Sequence, residues 1–213
     1  MILREKAYKK IKDRIVSGYY QPGQPLNEKE IIDEFQISRT PFREAVHALA
    51  EENLVQIFPN RGVFVRELTL QDILNGFDIR SLLDPYVVRL AASRMPKGAI
   101  RKLIEQIDLI EKDKKNYNGL LNEDDRFHYE LLQFTENRQL IRIMKNLYEF
   151  NRYQVILMDE IKNGGVSQHR LNGAIESLAE HRVVLVHMLN GETDQAVEAM
   201  QTHILNARKR ILQ

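Results

Sequence analysis

Six consecutive residues, Ser38-Arg39-Thr40-Pro41-Phe42-Arg43, combine side-chain types that suit a nucleic-acid surface. Arg39 and Arg43 are four residues apart and would share one face of a helix. Each guanidinium can donate to guanine O6 and N7 or to a phosphate, and the sequence leaves both contacts open. Ser38 and Thr40, at the start of that helix, can cap it and touch phosphate. The pattern is typical of a helix that enters a DNA major groove by its N-terminal end.

Two further basic positions flank this stretch. Lys29 lies at the start of the preceding predicted helix, where it can anchor a phosphate. Arg61-Gly62 lies at the tip of a predicted hairpin, where glycine permits the close backbone approach that minor-groove entry needs. Isolated arginines are more often solvated surface charge, but the surrounding helix-turn-helix and hairpin pattern favours contact with DNA.

A second set of chemistry-bearing residues lies further along the chain. Asp124 and His128 are four apart, so one helix face can present both to a single ion. His181 and His203 lie on the otherwise apolar stripes of two later helices. Polar groups buried without partners are costly, and one shared divalent cation would satisfy all four side chains. Three imidazoles and one carboxylate suit Zn²⁺ or Ni²⁺ first, and Mn²⁺ or Fe²⁺ also.

Other interpretations of these histidines remain open. A lone core-facing histidine is more often a hydrogen-bonded structural residue than a ligand, whereas three together with a helical aspartate favour metal. The same donors with an open position could activate water in a metalloenzyme, although the sequence offers no obvious general base beside them. A sensor in which the metal itself is the signal would use every one of these residues.

Composition bounds the class of protein. The 213 residues carry a net charge of +1, are 43% hydrophobic and include no cysteine, which excludes disulfides and thiolate metal sites. No apolar run reaches the length of a membrane span and the N-terminus lacks a signal-peptide pattern, so we expect a cytoplasmic protein without a membrane partner. Because net charge gives no general support for nucleic-acid binding, the DNA prediction depends on local placement.

Hydrophobic periodicity predicts the helices and strands that position the candidate DNA-contacting residues and the candidate metal ligands. The N-terminal part should contain a helix ending at Gly18, a turn over 21–25, a helix from Asn27 to Phe35, a helix over 40–52 and strands at 54–57 and 62–65. From Thr69 onward helical patterns occupy about 70–94, 97–114, 119–135, 138–161, 168–190 and 192–212. We therefore expect a mainly α protein, with a winged helix-turn-helix over 1–68 and an all-helical antiparallel bundle over 69–213.

Residues 4–66 resemble the winged-helix domain of the GntR family of bacterial regulators. The resemblance is carried, in order, by Pro22-Gly23-Gln24-Pro25-Leu26, Ser38-Arg39-Thr40-Pro41-Phe42-Arg43-Glu44-Ala45, Leu49, Leu54-Val55 and Arg61-Gly62-Val63-Phe64-Val65. It implies that DNA is contacted by Lys29, Ser38, Arg39, Thr40, Arg43, Arg61 and Gly62.

Residues 69–212 resemble the FCD ligand-binding domain of the FadR subgroup of that family, and six helices would place them nearer its VanR-type branch. The carrying residues are Asp124-x-x-Phe127-His128, Glu180-His181 and Met200-x-x-His203-Ile204, and Arg80 also matches. The resemblance implies a metal held by Asp124, His128, His181 and His203, with a small carboxylate-type effector completing the coordination. Asp84 stands where the family often has glutamate.

Together the two resemblances imply a transcriptional regulator, a repressor by expectation, and not an enzyme. We expect a homodimer whose reading helices enter the half-sites of a near-palindromic operator. The effector must bind the DNA-competent and incompetent arrangements with different affinity. Arg80 is the candidate to grip the effector carboxylate bidentately, the alternative being an ion pair with Asp84 four residues on.

Overall fold

The computed structural model describes residues 3–67, 69–112, 116–163 and 167–212, without the side chains of 153–163. The chain divides into two compact units, which we call the N-terminal and C-terminal units. The first comprises Met1–Leu70 with Arg152–Leu157, and the second Gln71–Asn151 with Met158–Gln213. The domain boundary predicted at Leu68 falls on a residue outside the described ones and stays a prediction.

The N-terminal unit is a winged helix-turn-helix, as predicted. Its elements are α1 (Leu3–Val16), β1 (Pro25–Leu26), α2 (Glu28–Phe35), α3 (Arg39–Glu51), β2 (Val55–Phe58) and β3 (Gly62–Val65). The three helices meet over a core in which Ile11, Ile15, Phe35, Phe42 and Leu49 are almost fully buried. This core fixes the start of α3 relative to α2 and leaves the polar faces of both helices at the surface.

The sheet contains one strand that the sequence pattern did not predict. The sequence pattern predicts a turn throughout 21–25, but Pro25 and Leu26 form β1 and pair antiparallel with Phe64 and Val63 of β3. The strand order is β1-β3-β2. Proline is tolerated here because β1 is an edge strand and needs no further donor on its open side.

Asn27 caps α2 as expected. Its side-chain oxygen accepts from the backbone N–H groups of Lys29 and Glu30, and its Nδ2 donates to Glu30 Oε1 at 2.8 Å. The two bonds accepted by Asn27 Oδ1 satisfy N–H groups that the first turn of a helix leaves without intrahelical partners. Lys29 is thereby held in the first turn with its side chain exposed.

After β3 the described residues form the six helices expected from periodicity, which make up the C-terminal unit apart from Leu70 and the segment Arg152–Leu157. They are α4 (Leu70–Ala92), α5 (Lys97–Ile110), α6 (Tyr117–Gln133), α7 (Arg138–Asn163), α8 (Gln168–Asn190) and α9 (Thr193–Leu212). Helix α8 packs against α5, α6 and α9 around the fully buried side chains of Ile107, Leu120, Phe127, Leu131 and Leu185. Within the described part of the chain, no helix combines the length and apolarity needed to cross a bilayer.

Candidate nucleic-acid interface and metal centre

The N-terminal unit brings three predicted DNA-contacting cations into one groove. Lys29 on α2 and Arg39 and Arg43 on α3 line it, together with Glu28, Ile32 and Asp33. Arg39 is 81% exposed, and its Nε lies 3.7 Å from Glu28 Oε1. An exposed ion pair of this length is weak, so the guanidinium can exchange Glu28 for a phosphate or a base edge.

The N-terminus of α3 differs from the expectation in one detail. Ser38 occupies the N-cap position with extended backbone, but its hydroxyl makes no capping hydrogen bond within the described residues. Ser38 and Thr40 are both exposed, whereas Pro41 and Phe42 are buried beneath them. The two exposed hydroxyls stand at the N-terminal end of α3, an arrangement suited to an anion.

The tip of the β2–β3 hairpin holds the other two predicted contacts. Gly62 has φ +99°, and a Cβ added there would meet no described atom within 4 Å, so backbone conformation explains the glycine. The N–H of Arg61 donates to the carbonyl of Phe58 at 3.1 Å, and its guanidinium lies 5.8 Å from the centre of the Phe58 ring. The hairpin thus presents one exposed cation at its tip.

In the C-terminal unit, three histidines from three helices converge. His128 on α6, His181 on α8 and His203 on α9 each offer a ring nitrogen, and these atoms lie within 4.8 Å of one another. The Nε2 atoms of His181 and His203 are 3.1 Å apart. The fourth predicted ligand, Asp124, is less buried, and its Oδ1 lies 3.7 Å from His181 Nε2. We call these three imidazoles the histidine cluster.

Burial and positive neighbours favour the neutral form of two of the three imidazoles, His128 and His181. Burial lowers the pKa of His128 well below its usual value, and the charges of Arg80 and His203 lower it further. Burial likewise lowers the pKa of His181, with added effects from His203 and His128. The ring of Phe127 stacks on His181 at 3.8 Å, while His181 Nδ1 is buried without a hydrogen-bond partner among the described atoms. Neutral, oriented imidazoles are the form that binds a metal ion, so the donor set fits a divalent cation.

Glu180 orients one of these rings, a role that sequence reasoning did not assign. His203 Nδ1 donates to Glu180 Oε2 at 2.7 Å, and the same carboxylate accepts from Asn206 and Arg210. Burial raises the pKa of the Glu180 carboxyl, but the hydrogen bonds from His203, Arg210 and Asn206 outweigh it and lower the pKa to about 2. A carboxylate at Nδ1 favours the tautomer in which His203 Nε2 offers its lone pair to the cluster. The spacing of positions 203, 206 and 210 on one helix face was the available signal.

Arg80 forms the ion pair with Asp84 that the sequence analysis gave as the alternative, and its grip on an effector carboxylate stays a prediction. Its Nε donates to Asp84 Oδ2 at 2.9 Å, and its Nη2 lies 3.0 Å from His128 Nε2. The hydroxyl of Tyr148 donates to the other Asp84 oxygen at 2.6 Å. Burial lowers the pKa of Arg80, but Asp84 and Tyr148 outweigh it and raise the pKa, so the guanidinium stays charged. Asp84 thus fixes a buried positive charge beside the histidine cluster.

Comparison with known families agrees with this two-part architecture. Residues 3–65 match the family described as bacterial regulatory proteins, gntR family, and residues 75–206 match the FCD domain. The chain belongs to the GntR family and carries an FCD domain. The resemblance inferred from sequence is thereby confirmed for both parts of this GntR-family chain.

Named relatives of this GntR-family chain are transcriptional regulators. The HTH-type transcriptional repressor RspR of Escherichia coli K12 is 32% identical over 147 residues, which cover 68% of this chain and 64% of that protein. The Nta operon transcriptional regulator of Aminobacter aminovorans is 30% identical over 141 residues, which cover 65% of this chain and 66% of that protein. The matched region thus spans just under two thirds of each relative. These names agree with the prediction of a regulator, not an enzyme.

A solved structure shares the fold along the whole chain. A GntR transcriptional regulator from Rhodococcus sp. RHA1 superimposes with a TM-score of 0.76 at 23% identity, over 98% of this chain and 97% of that one.

Proposed function

We propose that the protein is a DNA-binding transcriptional repressor whose operator affinity is set by a small carboxylate bound beside a divalent cation in the C-terminal unit. The observation that carries the proposal is the buried guanidinium of Arg80, 3.0 Å from His128 Nε2 at the edge of the histidine cluster. A fixed positive charge there matches an anionic ligand. Repression rather than activation of transcription is supported by the name of the 32% identical relative, the transcriptional repressor RspR.

The cation would be held by the histidine cluster together with Asp124. Neutral imidazoles and one carboxylate suit Zn²⁺ or Ni²⁺, and also Mn²⁺ or Fe²⁺. When bound, the cation would supply a second positive charge for a carboxylate oxygen. Arg80 would contribute Nη1 to the other oxygen, because its Nε is already committed to Asp84 and its Nη2 lies 3.0 Å from His128 Nε2.

On the DNA side, Lys29, Arg39 and Arg43 would contact bases and phosphates from their common groove. Ser38 and Thr40 would bind phosphate at the start of α3, and Arg61 with Gly62 would enter the adjacent minor groove. The carboxylate changes repression only if it binds the DNA-competent and incompetent arrangements with different affinity. Such a regulator would act in the cytoplasm, on a near-palindromic operator.

Arg80→Gln tests the carboxylate site. In the Zn²⁺-loaded protein, we expect the affinity for small carboxylates to fall about 10- to 100-fold, because charged hydrogen bonds are worth about 1.5–3 kcal/mol. Calorimetric titration with mono- and dicarboxylates measures the loss, and bound zinc should be retained. Arg182→Gln, which removes an exposed arginine paired with Asp108, is the matched control. Equal carboxylate affinity in R80Q and wild type would contradict the assignment of Arg80 to the carboxylate site. A change of DNA affinity with Zn²⁺ alone would show that the metal itself is the signal.

The operator's expected two-fold symmetry requires a homodimer, and α4 offers a face for it. Ile79, Leu82 and Tyr86 recur at helical spacing along α4 and are all exposed, with Leu82 at 75%. A stripe of this kind can pair with itself across a two-fold axis, as a closed dimer requires.

Leu82→Asp is expected to convert the dimer to monomer, raising the dissociation constant at least about 100-fold, because it places a charge at the centre of an apolar contact. Sedimentation equilibrium across a concentration series measures the change. Leu109→Asp on α5, where the leucine is 61% exposed, is the control and should leave association unaltered. A Leu82→Asp protein that still dimerises like wild type would place the interface elsewhere.

A further inference from the structure

One histidine of the cluster is contacted by a cation of the chain itself. Arg80 Nη2 on α4 lies 3.0 Å from His128 Nε2 on α6, and both side chains are buried. A guanidinium carries five N–H groups and no acceptor, so the hydrogen bond between them requires His128 Nε2 to accept. The ring is therefore neutral in this contact, with its proton on Nδ1. Arg80 thus occupies the single lone pair that the neutral ring of His128 offers.

A divalent cation needs the same lone pair, because histidine binds metal through an unprotonated ring nitrogen. If that nitrogen is Nε2, Arg80 Nη2 must move away from it. If it is Nδ1, the ring proton must move to Nε2, and two N–H donors would then point at each other. Either geometry breaks the hydrogen bond between Arg80 and His128. The guanidinium and a divalent cation therefore exclude each other at this ring.

Asp84 holds Arg80 beside the cluster when that hydrogen bond breaks. Arg80 Nε donates to Asp84 Oδ2 at 2.9 Å, and the hydroxyl of Tyr148 donates to the other carboxylate oxygen at 2.6 Å. The ring of Tyr148 also lies 5.2 Å from the guanidinium carbon. The guanidinium is thus anchored through Nε, and its Nη groups are the part that can turn from His128 toward a ligand.

We propose that Arg80 and the divalent cation compete for the lone pair of His128, and that this competition makes carboxylate binding depend on the cation. While Arg80 donates to His128, one of its Nη groups is occupied. Once Arg80 has given up the lone pair, Nη1 and Nη2 can grip a carboxylate together as a fork. The dependence of carboxylate binding rests on the proposed function, whereas the competition itself involves only Arg80, His128 and the cation. The regulator would then respond to the carboxylate in its metal-loaded form.

Arg80→Met tests the competition, because it removes both the donor and its charge. In buffer free of carboxylates, we expect the full chain to bind Zn²⁺ at least about tenfold more tightly, the effect of one charge-assisted hydrogen bond. Titration against pyridylazoresorcinol, a chromophoric chelator without a carboxylate, measures the change. Arg182→Met removes an exposed arginine that is paired with Asp108, and this control should bind Zn²⁺ like wild type. Unchanged or weaker Zn²⁺ binding by folded R80M would overturn the proposal.

A double variant separates the freed lone pair from the charge of Asp84. Arg80→Met leaves that buried carboxylate unpaired, which destabilises the fold and would itself attract Zn²⁺. Arg80→Met with Asp84→Asn removes both charges, and the tighter binding should persist in it. Wild-type affinity in the double variant would assign the gain to Asp84 and overturn the competition. Melting curves recorded without Zn²⁺ show which variants fold, and the double variant decides if R80M does not.

Nitrogen NMR of the histidine rings tests the contact without changing Arg80. Long-range proton–nitrogen spectra of the zinc-free wild type should show the proton of His128 on Nδ1, with the signals assigned by comparison with His128→Gln. Addition of Zn²⁺ should shift both ring nitrogens of His128. A proton on Nε2 in the zinc-free protein, or on both nitrogens, would rule out the hydrogen bond from Arg80 and the competition with it.

The effect of carboxylates on Zn²⁺ affinity tests the dependence, because coupling between two ligands is reciprocal. Acetate, propionate and benzoate serve as probes at saturating concentration. We expect at least one of them to raise the Zn²⁺ affinity of wild type about tenfold more than that of R80M. Equal gains in the two proteins would overturn the dependence. If no probe changes the Zn²⁺ affinity of wild type, the proposed carboxylate site fails and the dependence with it, whereas the competition stands on the R80M and NMR results.

Discussion

Replacing Arg39 and Arg43 together by alanine is expected to weaken sequence-specific DNA binding about 100-fold or more while the fold stays intact. Each bidentate arginine–base contact is worth about 1–3 kcal/mol, and two such losses multiply. Both side chains are exposed in the groove between α2 and α3, whereas the core beneath them consists of other residues, such as Phe42 and Leu49. The unfolding transition should therefore be unchanged.

Fluorescence anisotropy with duplexes selected by the wild-type protein from a random pool measures the effect at one fixed salt concentration. The salt dependence of binding then separates phosphate contacts from base contacts. Each lost phosphate contact lowers the slope of log affinity against log salt by about one. Arg101→Ala with Lys102→Ala removes the same charge from exposed positions on α5 and should bind like wild type. Selective binding retained by the Arg39/Arg43 variant would show that α3 is not the reading helix.

Replacing His181 and His203 together by alanine is expected to eliminate bound metal. Both imidazoles lie in the buried cluster, and their Nε2 atoms are 3.1 Å apart, so the variant leaves only His128 and Asp124 of the proposed ligands. Elemental analysis of the purified protein measures the loss. His47→Ala with His169→Ala, two exposed histidines outside the cluster, should keep wild-type metal content.

Glu180→Gln tests the same metal site by a milder change that preserves the shape of the side chain. It keeps an acceptor for His203 Nδ1 but removes the charge that orients and polarises the ring, and changes of this kind typically cost 10–100-fold in metal affinity. Zinc titration against a competing chelator measures the difference. Full metal content in the double histidine variant, with unaltered affinity in E180Q, would mean that the histidines are structural.

Much of the architecture followed from the sequence because it depends on local patterns. The Asn27 cap, the apolar periodicity of six long helices and the turn before Gly62 each act within a few residues. The two-residue strand β1 was missed because Pro25 and Leu26 have little strand character of their own. Their pairing is set by β3, some 40 residues away along the chain.

The candidate site was predictable in its residue types but not in its contacts. Helical spacing placed His128, His181 and His203 on apolar faces, and this was enough to expect that they meet. The ion pair of Arg80 with Asp84 follows from their i,i+4 spacing, but the contact of Arg80 with His128 depends on how α4 packs against α6, which no local pattern encodes. The buried, unpaired amide of Asn151 could not be predicted from sequence for the same reason, because the absence of a partner among the described residues depends on how the helices pack.

The histidine cluster joins three helices of a chain that has no cysteine with which to cross-link them. A cation held in common would act as a reversible cross-link that exists only in the folded bundle. The free energy of unfolding would then rise with the logarithm of free cation concentration above the dissociation constant. Because cells degrade unfolded chains, metal supply would control how many copies of the regulator survive, and thus its abundance as well as its occupancy of the operator.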